Sequence, residues 1–273
     1  MARSGFSLKV LNSPESSGAK AGPSAGVQKD TLILLPGLLS DETVWRDQVE
    51  ALSDLVPCLC ADWGWLDSFN AMAEAVLRAA PERFALAGHS MGGRVAFQVY
   101  CLAPDRVTRL ALLNTGCEAR PSGPAGEEEA HKRRELLEIA KSQGMRAMAL
   151  KWLPPMIAPD RRTDAGLVES IVSMIELKTP EIFEAQIAAL LARPDATPVL
   201  RSIRRPTLLL SGREDSWSPP ARHEQMAAMI PGSKLAVIPH CGHMSTMERP
   251  KEVAQAMRVW LSEAVPHAPG RTQ

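Results

Sequence analysis

The sequence predicts an α/β domain with a mostly parallel central sheet flanked by helices and with an inserted helical cap. Two observations support this fold class. From Thr31 onward, short apolar runs alternate with helical patterns, which is typical of a parallel sheet covered by helices. The alternation is interrupted once, between about residues 117 and 205, where only helical patterns occur. The length of 273 residues suits one domain that carries a large insertion.

The two ends of the chain are predicted to be tails. Residues 1–29 are rich in Ser, Gly, Ala and Pro, which favours a flexible segment with one edge strand near Phe6 to Val10. This apolar patch is too short and interrupted for the hydrophobic region of a signal peptide. Residues 266–273 are expected to form a short C-terminal tail.

The core of the domain is assigned to residues 30–116 and 206–265. The candidate strands are Leu32 to Leu35, Val56 to Cys60, Phe84 to Ala87, Val107 to Leu113, Thr207 to Leu210 and Leu235 to Ile238. They are apolar on both faces, as expected of covered parallel strands. Helical patterns between them include Phe69 to Ala80, Arg94 to Leu102, Ala221 to Ile230 and Glu252 to Leu261.

The inserted segment, residues 117–205, contains four helical patterns: Glu127 to Ser142, Met145 to Leu153, Gly166 to Leu177 and Glu181 to Leu191. A structureless insertion of this length is uncommon in a domain. We therefore expect these helices to form a cap over the face of the sheet that holds the functional site.

The pattern Gly-x-Ser-x-Gly occurs between a predicted strand and a predicted helix. The strand Phe84 to Ala87 ends at Gly88, and Ser90 and Gly92 follow. A strained strand-to-helix turn needs small residues two positions before and after the serine, so this spacing indicates a nucleophile elbow. The alternative is a glycine-rich turn without chemistry. In the elbow interpretation, Ser90 lies at the helix N-terminus, where the dipole favours a developing negative charge.

Candidate partners of the serine follow the last two strands. A serine nucleophile needs a base and an acid that orients the base. Glu214 and Asp215 both follow the strand Thr207 to Leu210, and either is also suited to a helix N-terminus. His240 and His243 follow the last strand, and one of them can be a surface histidine. No third ligand is near enough in sequence to predict a zinc site, and no cofactor is expected.

An acyl-transfer site also needs backbone N–H donors for the oxyanion. Met91 directly follows the serine, and its N–H is one candidate. The second candidate is the N–H of Leu38, since Gly37 lets the backbone turn toward the serine after the strand Leu32 to Leu35.

Taken together, these motifs resemble the α/β-hydrolase superfamily over residues from about 31 to 265. The resemblance implies a Ser-Asp-His order of Ser90, Asp215 and His243. The family's Gly-x-x-Asp-x-x-x-Pro pattern, with Gly212 and Pro219, selects Asp215, and its Gly-His segment selects His243. One departure is Pro36, where many members have histidine before the oxyanion glycine.

The resemblance implies hydrolysis of a small or medium carboxylic ester or lactone through an acyl-enzyme on Ser90. Dehalogenases and epoxide hydrolases of this family have Asp at the elbow, so that chemistry is excluded. The elbow is similar to those of esterases and monoglyceride-type lipases, and the overall pattern resembles small bacterial enol-lactonase-like hydrolases. The alternatives are carbon–carbon bond hydrolysis in aromatic degradation and a non-catalytic ligand-binding protein.

The substrate pocket is expected between the ends of the strands and the cap. Its candidate lining residues beyond the oxyanion donors are Leu39, Trp152, Met156, Met174 and Trp217. Methionine and aromatic residues at helical spacing also suit an ordinary core. Few charged residues occur at these positions, so an apolar acyl group is expected.

Composition indicates a small-molecule partner. Lys plus Arg and Asp plus Glu each number 31, which favours neither nucleic acid nor an anionic membrane as a partner. The five cysteines have no metal spacing and suit reduced thiols in a cytoplasmic protein. No apolar run is long enough to span a bilayer, and the oligomeric state is not predicted.

Overall fold

A seven-stranded sheet forms the centre of the computed structural model, which describes residues 5–12 and 30–264. The strands are β1 (Ser7–Asn12), β2 (Thr31–Leu35), β3 (Cys58–Asp62), β4 (Phe84–His89), β5 (Val107–Leu113), β6 (Thr207–Gly212) and β7 (Lys234–Ile238). Their order in the sheet is β1-β3-β2-β4-β5-β6-β7. Strand β1 is antiparallel to β3, and all other neighbours are parallel. The fold class predicted from the sequence is therefore confirmed.

The middle of the sheet is fully covered. Every residue of β4 is buried, and β2 and β5 pair with it on either side, with Leu34 opposite Ala87 and Ala87 opposite Ala111. Strands buried on both faces have no polar face to alternate with, which explains their near-continuous apolar sequences. The Gly-x-Ser-x-Gly motif begins with the last two residues of β4, so it is attached to a fully buried strand.

Helices cover the sheet and connect its strands. Outside the insertion they are α1 (Arg46–Leu52), α2 (Phe69–Ala79), α3 (Met91–Leu102), α9 (Pro220–Met229), α10 (Ser245–Glu248) and α11 (Pro250–Ser262). Helix α1 packs against α11, and α2 packs against α3. The long apolar faces of α2 and α11 carry Met72, Val76, Met257 and Trp260 into the core.

Between β5 and β6, the described residues contain a short 3-10 helix (Pro159–Arg161) and five α-helices, with no strand. They are α4 (Pro124–Gln143), α5 (Met145–Trp152), α6 (Ala165–Glu176), α7 (Pro180–Leu191) and α8 (Thr197–Leu200), and we call them the cap helices. Helix α4 packs against α5 and α7, and α5 packs against α6. The four longer ones start and end within three residues of the predicted helices; α8 is an additional short helix.

Three details differ from the sequence predictions. The strand expected from Val56 begins at Cys58, since Pro57 cannot donate a ladder hydrogen bond and precedes the paired residues. Helix α3 begins at Met91 rather than Arg94, because the glycines of the motif belong to its first turn. Strand β7 is at the edge of the sheet and is largely exposed along its first half, so it is not covered on both faces.

The N-terminal edge strand expected near Phe6 to Val10 is present as β1. Residues 1–4, 13–29 and 265–273, which include the rest of the two predicted tails, lie outside the described residues. Among the residues that the structure does describe, no helix combines the length and apolar character needed to cross a bilayer.

Candidate active site

Ser90 stands on a strained turn between β4 and α3. Its φ is 54° and its ψ is −115°, a region that residues with a side chain seldom adopt. A Cβ on Gly88 would overlap the backbone of Gly92, and a Cβ on Gly92 would overlap the carbonyl of Leu35. The two glycines of the motif therefore permit the close packing that forces Ser90 out of the strand.

A second loop approaches Ser90 from the end of β2. A Cβ on Gly37 would lie only 3.3 Å from the Ser90 Cβ, so the loop passes directly beside the serine. Within the described residues, the backbone N–H groups of Leu38 and Met91 have no hydrogen-bond acceptor, although both residues line the same cavity as Ser90. Unpaired backbone N–H groups in the same cavity as a serine hydroxyl are able to bind an oxyanion there.

The imidazole of His243 connects Ser90 to a carboxylate. Its Nε2 lies 2.8 Å from the Ser90 Oγ, and its Nδ1 lies 2.9 Å from Asp215 Oδ2. His243 is 3% exposed and Asp215 is 2% exposed, so both are shielded from solvent. The loop that carries His243 is anchored to the cap, because its backbone N–H donates to the Met156 carbonyl at 2.7 Å.

Asp215 is kept ionised by its surroundings. Its Oδ1 accepts hydrogen bonds from the backbone N–H groups of Trp217 and Ser218, each at 2.9 Å. Burial by itself raises the pKa of this carboxyl, but the adjacent His243 and the N–H donors outweigh burial and hold the pKa well below its ordinary range. A buried carboxylate in this state fixes the Nδ1–H tautomer of the imidazole.

The structure places the two alternative candidates away from this chain of contacts. Glu214 is exposed, and its carboxylate accepts from the backbone N–H of Cys241. His240 is also exposed and lies 3.4 Å from Asp160, not from Ser90. The geometry thus brings together Ser90, Asp215 and His243, the set that the family resemblance implies.

Several supporting residues were not singled out from the sequence. Asn114, at the end of β5, donates to Asp215 Oδ2 at 2.9 Å and to the Gly242 carbonyl at 3.2 Å. Its φ of 50° is a backbone signal that no sequence motif reveals. Glu248 is buried and accepts from the N–H groups of Gly242, Met244 and Ala158, so it ties the His243 loop to the cap.

His89 is a further contact within the elbow. It is buried, and its Nε2–H donates to the His243 carbonyl at 2.8 Å. Burial and the nearby His243 lower the pKa of His89 to about 4, so it is neutral at physiological pH. A neutral imidazole with Nε2–H can support the His243 backbone without adding charge beside the reacting groups.

A cavity of about 730 Å³ opens above Ser90 and His243. It lies between the carboxyl ends of the strands and the cap helices, where ligands bind in open α/β sheets. Its aromatic wall consists of Trp152, Phe183 and Trp217. The Trp152 and Trp217 rings stack at 5.4 Å, and the Trp217 ring centroid is 4.9 Å from that of His243. The size suits a small or medium organic molecule.

Most predicted pocket residues line this cavity, but two do not. Leu38, Met91, Trp152, Met156 and Trp217 are all on its surface. Leu39 is fully buried beneath the loop, and Met174 packs inside the cap on the buried face of α6; neither contributes to the lining. Both side chains are apolar, and a core position suits an apolar side chain as well as a cavity wall does.

The cavity is also more charged than expected. Among the described residues that line it are five cationic and two anionic side chains: Arg94, Lys132, Arg133, Arg193, Arg222, Glu118 and Glu129. The expectation of few charged residues covers only the apolar candidate positions, whereas the cations reach the cavity from α3 (Arg94), α4 (Lys132 and Arg133), α9 (Arg222) and the segment after α7 (Arg193).

This arrangement can perform acyl transfer. An imidazole within hydrogen-bond distance of a serine hydroxyl can accept its proton, a buried carboxylate stabilises the resulting imidazolium, and unpaired N–H groups can bind an oxyanion. The described residues offer no cluster of three metal-binding side chains.

Comparison with known proteins gives the same family as the sequence motifs. The model of the alpha/beta hydrolase family matches residues 32–256. A pimeloyl-(acyl-carrier protein) methyl ester esterase of Nitrosomonas europaea is 26% identical over 231 residues, covering 81% of this chain and 91% of that protein.

Solved structures of hydrolases have a similar fold. A thermophilic esterase from Thermogutta terrifontis, with malate bound, superimposes with a TM-score of 0.78 at 30% identity and covers 94% of this chain and 92% of its own. The enol-lactonase from Burkholderia xenovorans LB400 has a TM-score of 0.76 at 23% identity, covers 94% of this chain and 96% of its own, and supports the fold alone. Since the family model spans most of the sequence, the chain belongs to the alpha/beta hydrolase family.

Proposed function

We propose that the protein is a serine-dependent carboxylic ester hydrolase. The observation that carries this proposal is the continuous contact from Ser90 Oγ to His243 Nε2, at 2.8 Å, and from His243 Nδ1 to Asp215, at 2.9 Å, at the base of the cavity. The names of the Nitrosomonas methyl ester esterase and the Thermogutta esterase support ester bonds as the substrate class.

The proposed first half-reaction forms an acyl-enzyme. Ser90 Oγ attacks the ester carbonyl carbon while His243 Nε2 accepts the hydroxyl proton. The carbonyl oxygen becomes an oxyanion, and the N–H groups of Leu38 and Met91 are positioned to stabilise it, each by about 3 to 4 kcal/mol. When the tetrahedral intermediate collapses, the alcohol leaves with the proton that His243 returns to its oxygen.

The second half-reaction releases the acid. A water molecule enters the position that the alcohol has left, and His243 accepts one of its protons as it attacks the acyl carbon. Collapse of the second tetrahedral intermediate breaks the bond to Ser90 Oγ, which regains its proton from His243. Asp215 remains ionised throughout, since it is held by the surrounding N–H donors.

The test is hydrolysis of an ester panel by the wild type and by two serine variants. We expect the wild type to hydrolyse short 4-nitrophenyl and methyl esters, and Ser90→Ala to lower kcat by on the order of 10⁴ to 10⁶. Ser216→Ala is the matched control, since Ser216 is exposed and donates to the Pro155 carbonyl. Turnover that survives in Ser90→Ala would contradict the proposal.

The alternatives make different predictions in the same assay. A carbon–carbon bond hydrolase would cleave a vinylogous diketone much faster than any ester. A binding protein without turnover would hydrolyse neither. Either outcome would remove ester hydrolysis as the function while leaving the family assignment intact.

A further inference from the structure

Some of the cationic side chains that line the cavity pair closely with a carboxylate, and others do not. The carboxylate of Glu129 accepts from Arg133 at 2.9 Å and from two nitrogens of Arg193 at 2.7 Å, so these three groups form one ion-pair cluster. Lys132 pairs with Glu128 at 3.1 Å on the exposed side of α4. Two cations remain, Arg94 and Arg222.

Arg94 projects from α3 one turn after Ser90, on the side of the helix that faces the cavity. Its Nη1 donates to the Glu118 backbone carbonyl at 2.8 Å. Among the described residues, no carboxylate lies within 4.0 Å of its guanidinium group. Arg94 is thus a half-buried cation whose remaining N–H donors are available.

Arg222 reaches the same place from α9. Its Nε lies 3.8 Å from Glu118 Oε2, beyond hydrogen-bond distance, and its Nη1 donates weakly to the Trp217 carbonyl at 3.4 Å. The point where a Cβ on Gly116 would sit is 3.2 Å from both Arg94 Nη2 and Arg222 Nη1. Gly116 therefore leaves the space in which the two guanidinium groups converge.

The positive charges of Arg94 and Arg222 exceed the negative charge of the one nearby carboxylate, that of Glu118. Burial, together with the positive charges of Arg193 and Arg222, lowers the pKa of Arg94 to about 10. The direction of this shift means that the site disfavours the charge it holds. An anion bound between the two guanidinium groups would supply the missing negative charge, and guanidinium forks match the two oxygens of a carboxylate.

We propose that Arg94 and Arg222 form a carboxylate subsite, and that the substrates are esters that carry a free carboxylate, such as monoesters of dicarboxylic acids. This inference rests on the proposed ester hydrolysis for its catalytic consequence. The ester group lies at Ser90 and the carboxylate one helical turn away. The apolar chain between them passes Trp217, whose ring lies 4.9 Å from that of His243 and whose carbonyl accepts from Arg222.

The first test compares a matched substrate pair, monomethyl adipate and its neutral analogue in which the free acid is a primary amide. We expect the wild type to prefer the acid in kcat/KM by about 10- to 100-fold, since hydrogen bonds to charged groups are the strong ones. Arg94→Gln should reduce this preference at least tenfold, mainly by raising KM for the acid. Arg83→Gln removes one exposed arginine outside the cavity and should retain the preference.

The second test separates this inference from the proposed function. Binding of monomethyl adipate to Ser90→Ala, measured by titration calorimetry, does not require turnover. We expect about 10- to 100-fold weaker binding in Ser90→Ala/Arg94→Gln. Binding that depends on Arg94 supports the subsite even if no ester is hydrolysed. Equal binding by both proteins, or equal kcat/KM for the acid and the amide in the wild type, would overturn it.

Discussion

At the scale of single residues, the carboxyl group of Asp215 is the most constrained part of the site. It contacts His243 and accepts from Trp217, Ser218 and Asn114. Asp215→Asn should lower kcat by a factor on the order of 10⁴, because the amide favours the wrong tautomer of the His243 imidazole. Steady-state hydrolysis of 4-nitrophenyl butyrate measures this effect.

Glu214→Gln is the matched control for this substitution. Glu214 is the adjacent acid, but its carboxylate accepts only from the Cys241 backbone among the contacts in the described residues. Its loss should affect kcat far less than the loss of Asp215. A larger decrease of kcat in Glu214→Gln than in Asp215→Asn would show that Glu214, and not Asp215, is the acid that orients the imidazole.

A second residue, His223, is expected to make the free energy of unfolding depend on pH. It is fully buried, its Nε2 accepts from the Thr115 N–H at 3.2 Å, and burial lowers its pKa to about 4. The unfolded chain binds a proton at this histidine below a pH of about 6.5, while the folded protein does not until about pH 4. Stability is therefore lost as pH falls through this window.

Urea unfolding at pH 7 and pH 5 measures this effect. From pH 7 to pH 5, the free energy of unfolding should decrease in both proteins, but by about 2 kcal/mol less in His223→Gln than in the wild type. The variant lacks the histidine that takes up a proton on unfolding. His131→Gln, at an exposed histidine of α4, should behave as the wild type. Equal pH slopes in the wild type and His223→Gln would show that His223 is not held neutral by the fold.

At the scale of elements, the side chain of Gln186 connects the cap to the loop that follows β2. Gln186 of α7 is 2% exposed, and its Oε1 accepts from the Leu39 N–H at 2.8 Å. Leu39 has a φ of 58°, so this hydrogen bond holds a strained residue directly after Leu38. Helix α7 is therefore placed to fix the direction of the Leu38 N–H.

Gln186→Met should uncouple these elements. It leaves the buried Leu39 N–H unpaired, which should lower the free energy of unfolding by about 1 to 3 kcal/mol. It should also lower kcat by about tenfold with little change in KM, since the donor acts on the oxyanion rather than on the bound ester. Glu184→Gln, on the exposed side of α7, is the control. An increase in KM alone would show that α7 supports substrate binding instead.

Most helices and strands are predictable from the sequence, because the patterns that indicate them are contained within short segments. Apolar runs and helical periodicity are properties of short segments, so the strands and long helices were located within a few residues. Short helices such as α8 and α10 have too few turns to show a period. The starts of β3 and α3 depend on the contacts of Pro57 and the motif glycines, which are tertiary.

The site shows the same division between local and tertiary information. Ser90 and the two candidate acid and base pairs follow from the ends of strands. Only the family motifs select Asp215 and His243. Asn114, which supports Asp215, and Gln186, which supports the loop after β2, contact the site from distant parts of the sequence. Met174 was misplaced because an apolar residue inside the cap and one facing the cavity look alike in a sequence.

At the scale of the whole molecule, the sheet and the cap form one cavity whose two ends differ in character. One end holds the polar side chains around Ser90 and the aromatic wall of Trp152, Phe183 and Trp217. The other holds the convergent cations Arg94 and Arg222. We propose that such a pocket selects a substrate by its apolar length and its charge at once. The cap helices supply Trp152 and Phe183 to it, while α3 and α9 supply the two arginines.

Covalent labelling with a fluorophosphonate provides the sharpest test of whether Ser90 is a nucleophile activated by its neighbours. Intact-protein mass spectrometry should show one adduct per chain, and peptide mapping should locate it on Ser90. Labelling should be lost in Ser90→Ala, strongly slowed in His243→Ala and retained in Ser216→Ala. An adduct on a different residue, or no adduct on a folded wild-type protein, would contradict the account.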